Sequence, residues 1–338
     1  MPPNPAQSKP SPGLHRFSVA AEEAGTRLDR FLAAHFPELS RTRVQEFVDE
    51  GRVRVRGAVP KRSHRLEAGE TVEIEIPPPA PPGIEAEAIP IEVLYEDEDV
   101  AVVNKPAGLI VHPGAGAASG TLAAALLHRF GQLSGVGGPL RPGIVHRLDK
   151  GTSGALLVAR NDAAHRRLVD EFRDRRVEKT YLALLHGRMK ENSGQIDLPV
   201  ARDLRRRTRM TARRREGRPA HTDWRVRARL DGFTLVEANL HTGRTHQLRV
   251  HFAALGHPVV GDTLYGAPRV VRAGGATLSP LGRNFLHAAR ILFAHPRSGE
   301  PVEARAPLPE ELRAYLGELE RAVGAEPGSI DALLRESL

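Results

Sequence analysis

Through the centre of the chain runs the segment Pro142-Gly-Ile-Val-His-Arg-Leu-Asp-Lys-Gly-Thr-Ser-Gly154, on which the interpretation of the other segments depends. An apolar pair leads into Asp149, which is flanked by Arg147 and Lys150 and followed by small, turn-forming residues. Taken alone, such an aspartate is explained by an Asx turn or a cap. A functional carboxylate held among cations is the alternative, and the neighbouring segments bear on it.

Strand-like and helix-like patterns alternate on both sides of this segment. Helices are predicted over 122–130, 163–173 and 245–255. Strands are predicted over 100–103, 154–159, 181–186, 222–230 and 233–240. The strand lengths and the hairpin-like spacing after Leu230 favour a mainly antiparallel, mixed sheet flanked by helices, which is an α+β fold.

A smaller unit precedes this domain. Apolar residues at helical spacing follow Thr26, and Ser40 is a plausible N-cap for a second helix. Two alternating apolar and charged segments, 53–57 and 72–76, predict short strands. The pattern therefore predicts a compact module of two helices and a small sheet over 17–76.

Composition shifts suggest where the domains begin and end. Residues 1–16 are rich in proline and polar residues and are expected to form a disordered tail. The proline run of 77–84 is expected to be a semi-rigid linker. The larger domain is then expected over 85–308, followed by an acidic helical extension over 309–338, which contains seven acids and three arginines.

Several functional classes are disfavoured by composition. The 338 residues include no cysteine, which removes thiol nucleophiles, iron–sulfur clusters and disulfides. The polar, proline-rich start lacks the apolar core of a secretory signal, and the long uncharged stretch of 106–128 is interrupted by Pro113 and several glycines. We therefore expect a cytoplasmic protein that does not insert into a membrane.

Two patterns that could indicate a cofactor do not fit the motifs they resemble. The glycine-rich stretch 114–120 lacks the glycine spacing and the acidic ribose ligand of a dinucleotide loop. His241, His246 and His251 are five residues apart, which places neighbouring side chains on different faces of a helix or strand. Neither a metal nor another cofactor is predicted.

The charge distribution favours a polyanionic partner. The formal net charge is +8, yet the segment from Arg202 to Arg229 alone holds twelve arginines and three acids. The basicity is thus concentrated in one region. A solvated charged loop explains any single arginine there, but so many together favour nucleic-acid binding.

Three motifs in a fixed order resemble the signatures of the RluA-type pseudouridine synthases: HRLDKGTSG at 146–154, EKTYLA at 178–183 and HTGRTHQLRVH at 241–251. The stretch 111–146 is more similar to the RluD branch, which modifies large-subunit ribosomal RNA. The N-terminal unit resembles an S4 RNA-binding domain. The resemblance covers roughly 17–308, while the arginine-dense loop and the acidic segment after Pro309 depart from it.

This resemblance implies roles for individual residues. Asp149 matches the catalytic aspartate, Arg249 its cationic partner and Tyr181 the tyrosine that packs on the target base. Arg147 matches the arginine that fills the space left by a flipped nucleotide. Further RNA contacts are expected at His146, Arg244, Arg205, Arg206, Arg207, Arg209, Arg41, Arg43, Arg54 and Arg56.

The expected activity is the isomerisation of uridine to pseudouridine in large-subunit ribosomal RNA, either free or in a pre-ribosomal particle, by a monomer that needs no cofactor. Two alternatives stay open at this point. One is a synthase directed to transfer RNA, because the catalytic motifs do not specify the RNA. The other is a non-catalytic RNA-binding or ribosome-assembly protein that keeps the fold.

Overall fold

The computed structural model describes residues 13–36, 41–61, 63–76, 83–114, 118–204, 206, 208–212 and 216–337. The chain divides into two compact units, residues 1–83 and 84–338. Three predictions fall wholly or partly outside the described residues: residues 1–12 of the tail predicted over 1–16, the N-cap at Ser40 and residues 77–82 of the linker. Residues 13–16 of the predicted tail are instead part of a β-strand.

The smaller unit is a three-stranded antiparallel sheet with two helices. Its elements are β1 (Gly13–Ser18), a 3-10 turn (Ala21–Glu23), α1 (Leu28–His35), α2 (Arg41–Asp49), β2 (Val53–Val55) and β3 (Thr71–Ile76). The strand order is β1-β3-β2, and one apolar core includes Leu28, Phe31, Phe47 and Ile74. Strand β1 begins four residues before the predicted module, because β3 supplies it with backbone partners from Gly13 onward.

The larger unit contains the remaining elements in the described ranges. Its helices are α3 (Leu122–Phe130), α4 (Asp162–Arg173), α5 (Gln247–Ala254), α6 (Glu310–Ala322) and α7 (Ser329–Ser337), with a 3-10 turn at Thr263–Tyr265. Its strands are β4 (Glu92–Glu96), β5 (Val100–Lys105), β6 (Ser153–Ala159), β7 (Glu178–His186), β8 (Ser193–Asp197), β9 (Ala201–Arg202), β10 (Met210–Thr211), β11 (His221–Leu230), β12 (Phe233–Leu240), β13 (Arg272–Ala273), β14 (Ala276–Thr277), β15 (Leu286–Ala294) and β16 (Pro301–Arg305).

The main sheet of the described residues has the order β4-β5-β6-β15-β7-β12-β11-β8, and β16 also pairs with β15. Every neighbouring pair is antiparallel except β6 and β15, which run parallel over two residue pairs. The predicted α+β architecture with a mainly antiparallel, mixed sheet is therefore confirmed.

Both faces of the sheet are covered. All seven residues of β6 are buried, and they alternate between two apolar cores. Leu156 and Val158 join the core that contains residues of α3, α5 and α6, whereas Leu157 joins the core that contains Leu168 of α4. A strand buried on both faces reads as a continuous apolar run, which is the pattern of 155–159.

Strand β15 lies at the centre of the sheet, although the sequence pattern did not predict it. Its apolar run is interrupted by His287 and Arg290. His287 is fully buried because its ring nitrogens hydrogen-bond the Ser153 hydroxyl (2.9 Å) and the carbonyl of Ala306 (3.0 Å). The polar residues that obscure the strand pattern thus have tertiary partners.

Helices α6 and α7 belong to the core of the larger unit. Leu312, Tyr315, Leu316 and Leu319 of α6 are buried in the same cluster as residues of β7 and α5. Their helical spacing places them on one face. The segment predicted as an acidic helical extension from 309 is therefore packed onto the domain through its apolar face, with Glu310 and Glu311 exposed and Glu320 buried.

In the part of the chain that the structure describes, no helix combines the length and the apolar character needed to cross a bilayer. The longest uncharged segment, which raised that question in the sequence, contributes the apolar helix α3, and the five residues Leu122 to Leu126 of that helix are buried.

We expect Leu316→Ala to lower the free energy of unfolding by about 2–5 kcal/mol, because it removes a side chain that is only 3% exposed and leaves a cavity. Urea denaturation followed by circular dichroism measures this change. Val270→Ala, at a residue that is 58% exposed, is the matched control and should stay within about 0.5 kcal/mol of the parent. Equal effects of the two changes would show that α6 is not part of the core.

Candidate active site

A cavity of about 530 Å³ opens in the larger unit at the three sequence motifs. That size lies in the range typical of small-molecule sites, and it suits one extruded nucleotide. The walls come from the loop before β6, from β7, from the end of α4 and from the segment that enters α5. The lining includes every site residue predicted from the three motifs: His146, Arg147, Asp149, Tyr181, Arg244 and Arg249.

Asp149 stands in the loop that leads into β6, and a buried lysine holds this loop. Lys105 is completely buried, and its Nζ donates to the carbonyls of Pro106 (2.8 Å) and Leu109 (2.9 Å), with a longer contact to that of Lys150 (3.5 Å). The ammonium thus connects the segment after β5 to the residue next to Asp149. These hydrogen bonds therefore hold the backbone next to Asp149 in place.

The glycine that closes the motif allows two strands to approach. Gly154 has φ +117°, and a Cβ placed there would lie 2.2 Å from the carbonyl oxygen of Ala288 on β15. Only a residue without a side chain fits this contact. The parallel pairing of β6 and β15 depends on that glycine. Asp149 lies in the loop that leads into this paired strand.

A buried chain of charges runs through the site. Arg249 Nη1 donates to Asp149 Oδ2 at 3.3 Å. On its other side, Arg249 donates from Nε and Nη2 to the two carboxylate oxygens of Asp262, at 2.6 and 2.9 Å. Burial works to lower the pKa of Arg249, but the hydrogen bonds and charges of Asp262 and Asp149 outweigh it and raise that pKa. The guanidinium is thus a fixed cation.

Tyr181 lies on β7, where it is 6% exposed and pairs in register with Ala238 of β12 and Ala288 of β15. Burial raises the pKa of its hydroxyl, and the charge of Asp149 raises it further. The ring is therefore neutral at physiological pH and presents an apolar face with a protonated polar tip to the cavity.

His246 also belongs to the site, although its role was not predicted. Its Nε2 lies 3.9 Å from Asp149 Oδ2, and its Nδ1 lies 2.7 Å from the hydroxyl of Tyr265. The backbone nitrogen of Met210 donates to that same hydroxyl at 2.8 Å. Burial lowers the pKa of His246, more than the nearby carboxylates raise it. His246 has a left-handed backbone (φ 57°) at the N-cap of α5.

The two arginines and one histidine of the motifs that are predicted to contact RNA differ in position. Arg147 is exposed at the cavity rim, whereas Arg244 is half-buried and donates from Nε to the carbonyl of Pro219 at 3.1 Å. His146 Nε2 accepts from the backbone nitrogen of Leu157 (2.8 Å), and its ring stacks on Phe172. Burial lowers the pKa of His146 to about 3, so this neutral ring holds the loop on β6.

The arginine-dense loop contributes to the site at one described position. Arg209 packs its guanidinium 5.2 Å from the ring centroid of Tyr265, which Arg249 also contacts at 5.0 Å. Arg206 is exposed, and its backbone nitrogen donates to Asp203. Arg205 and Arg207 lie outside the described residues.

In the smaller unit, the arginines predicted to contact RNA differ in how far their charge is already paired. Arg54 is exposed and donates to the carbonyl of Gly57 at 3.1 Å. Arg56 pairs with Glu67 at 2.8 Å and Glu70 at 3.2 Å, so part of its charge is already neutralised. Arg41 and Arg43 lie in the first turn of α2.

The sequence analysis did not identify Asp262, Tyr265 or Lys105 as site residues. Asp262 and Tyr265 follow Gly261, where φ is +79° and a Cβ would lie 1.9 Å from the carbonyl oxygen of Arg283. An acid next to such a required glycine is the local signal that could have identified the turn. Its pairing with Arg249 depends on the tertiary fold.

Comparisons with known proteins agree with this geometry. A family model described as RNA pseudouridylate synthase matches residues 99–254, which include Asp149, Tyr181 and Arg249, and an S4 domain model matches residues 26–72. A protein of Chloroflexus aurantiacus that is named an RNA pseudouridine synthase is 47% identical over 302 residues, covering 89% of this chain and 92% of its own.

Two further similarities extend the match. The protein named ribosomal large subunit pseudouridine synthase D of Xanthomonas campestris is 42% identical over 311 residues, covering 90% of this chain and 92% of its own. The solved structure of human RNA pseudouridylate synthase domain containing 1 is 32% identical with a TM-score of 0.54, covering 74% of this chain and 96% of its own. From its sequence and its fold, this chain belongs to the RNA pseudouridine synthase family and has an S4 domain at its N-terminal end.

Proposed function

We propose that the chain isomerises specific uridines in large-subunit (23S) ribosomal RNA to pseudouridine, as a monomer in the cytoplasm. The observation that carries the reaction is the meeting of Asp149, Tyr181 and Arg249 in one nucleotide-sized cavity. The choice of ribosomal RNA is supported by similarity to the Xanthomonas campestris protein over nearly the whole chain. The S4 domain supports binding to a structured RNA.

The reaction breaks the N1–C1′ bond of uridine, turns the uracil and joins C5 to C1′. Positive charge develops at C1′ as the base leaves, as it does in glycoside hydrolysis. The Asp149 carboxylate stabilises this charge, and it either bonds to C1′ or removes the proton at C2′. The cavity has to exclude water from C1′, because water attack there would leave an abasic site.

Arg249 orients the Asp149 carboxylate through the hydrogen bond from Nη1, and Asp262 keeps Arg249 in place. A guanidinium held by two hydrogen bonds on one side has little freedom on the other, so its Nη1 stays directed at the nucleophile. His246 carries its ring proton on Nε2 when Nδ1 accepts from Tyr265, and that proton then faces Asp149. These neighbours act on Asp149 through charge and position.

Tyr181 packs on the uracil ring and relays the proton that leaves C5 after the new bond forms. Its raised pKa suits a hydroxyl that stays protonated until that step. Arg147, exposed at the rim, enters the space left in the RNA by the flipped nucleotide and replaces lost stacking with a planar cation. The family resemblance implies both roles, and the positions of these side chains on the cavity wall support them.

We expect Asp149→Asn to abolish pseudouridine formation while leaving RNA affinity nearly unchanged, because phosphate contacts supply most of the binding. Release of tritium from C5-labelled uridine in the RNA measures turnover, and filter binding measures affinity. Asp231→Asn, at an exposed residue of the β11–β12 turn, is the matched control and should keep full activity. Turnover in the Asp149 variant would contradict the assignment.

We expect Asp262→Asn to lower kcat by about 100-fold with little change in KM, because a small misplacement of Arg249 disturbs only the reacting geometry. Steady-state kinetics on a fragment of ribosomal RNA separates the two constants. Asp262→Glu, which restores the charge, should recover part of kcat. If kcat is unchanged, or if only KM rises, Asp262 does not act by positioning Arg249.

Replacement of Arg205, Arg206, Arg207 and Arg209 by Gln should flatten the salt dependence of RNA binding. Each lost single-strand phosphate contact lowers the slope of log K against log salt by roughly 0.7. Arg206→Gln alone should change only the slope, whereas Arg209→Gln should also slow turnover, because its guanidinium packs on Tyr265. An unchanged slope in the fourfold variant would show that the loop does not contact RNA.

The RNA target is tested by mapping pseudouridines in cells that lack the protein. We expect sites to disappear from 23S ribosomal RNA, and purified chain to restore them either on naked RNA or on pre-ribosomal particles. Loss of sites from transfer RNA with an intact 23S pattern would instead support the transfer-RNA alternative.

A further inference from the structure

Beside the catalytic cavity, two neighbouring strands bring together four residues that the reaction described above does not use. His221 and Asp223 are two residues apart on β11 and therefore lie on the same face. His241 follows β12 directly opposite His221, and its backbone nitrogen donates to the carbonyl of His221. Asp197, at the end of β8, pairs in register with His221. We call these four residues the β11 cluster.

The potential ligand atoms of three of these residues lie close to one another. His221 Nε2 lies 2.9 Å from Asp223 Oδ1, and His241 Nε2 lies 2.6 Å from Asp223 Oδ2. The two imidazole centroids are 4.6 Å apart. The potential ligand atoms of His221, Asp223 and His241 all lie within 4.8 Å of one another.

His221 has a carboxylate opposite each of its ring nitrogens. Its Nδ1 donates to Asp197, while its Nε2 faces the carboxylate of Asp223. A neutral imidazole has one N–H, so it leaves a lone pair opposed to a carboxylate lone pair. Only a second proton or a metal ion between Nε2 and Asp223 resolves this.

The arrangement also has the outer partner of a metal-bound histidine. A histidine that binds a metal through one ring nitrogen commonly donates from the other to a carboxylate, which fixes the tautomer and orients the ring. Asp197 has this position toward His221. Tetrahedral bonds of about 2.0–2.1 Å need ligand atoms roughly 3.3 Å apart, so an ion would widen the two Asp223 contacts by about half an ångström.

A second described group of this kind, Asp97, Asp99 and His295, already has its cation. Arg297 Nε lies 2.7 Å from Asp99, and backbone nitrogens donate to Asp97. Among the residues that the structure describes, no guanidinium pairs with Asp197 or Asp223. The β11 cluster is thus the better candidate.

We propose that His221, Asp223 and His241 form a binding site for a transition-metal ion of the Zn²⁺ class, with Asp197 as the outer carboxylate. Two imidazoles and one carboxylate suit zinc and disfavour Mg²⁺, which prefers oxygen ligands. The fourth position is left to water. This inference goes beyond the uridine chemistry, because the ion touches neither Asp149 nor Arg249 and the site is read out by metal binding alone.

Titration of ZnCl₂ into the full chain without a polyhistidine tag, in competition with a fluorescent zinc chelator, tests the proposal. We expect one equivalent bound at neutral pH and no competition from millimolar Mg²⁺. His241→Ala and Asp223→Asn each remove a ligand and should weaken binding by more than about 100-fold. Asp197→Asn should weaken it by about 10–100-fold, as outer partners do.

His128→Ala, at an exposed histidine of α3, is the matched control and should bind like the parent chain. Thermal unfolding gives a second readout, since an ion that binds only the folded chain raises Tm in the parent and in His128→Ala but not in Asp223→Asn. Zinc affinity that is the same in the parent and in the ligand variants, absence of a bound equivalent, or displacement by Mg²⁺ would each overturn the site.

Discussion

The buried ion chain from Asp262 through Arg249 to Asp149 is the interaction on which the rest of the site depends. A charge removed from water costs several kcal/mol unless it is paired and hydrogen-bonded. Asp262 is 3% exposed, and both of its oxygens accept from Arg249. This pairing offsets the cost of placing a permanent cation beside Asp149 inside the fold, and it leaves one guanidinium nitrogen directed at the Asp149 carboxylate.

The sheet supplies the rigidity that this chain of charges needs. Asp149 leads into β6, whose residues are buried on both faces, and Tyr181 stands on β7. The two strands are separated by β15, which pairs with both. Because Gly154 allows β6 to approach β15 closely, the loop of Asp149 is anchored to the same sheet that carries Tyr181. Catalytic groups on such elements are placed more accurately than groups on free loops.

Local sequence pattern predicted the helix over 122–130, the hairpin of β11 and β12 and the buried strand β6, because apolar periodicity is strong there. It failed for β15, where His287 and Arg290 break the pattern and find partners only in the folded chain. It also treated the α6 segment as a separate extension. The excess of acids in this segment is visible in its composition. Which face of the helix is buried depends on the core that lies next to it.

What the sequence by itself determined is the set of groups that the proposed chemistry uses: an aspartate between cations, a tyrosine at a strand and an arginine in a third motif, because each motif is local. Only the tertiary structure decided which of these groups meet. Asp262 and His246 join Asp149 through contacts between segments far apart in the chain. The spacing of His241 from His246 argues against His241 as a metal ligand. Strand pairing nevertheless places His241 beside His221, because spacing along one strand carries no information about the neighbouring strand.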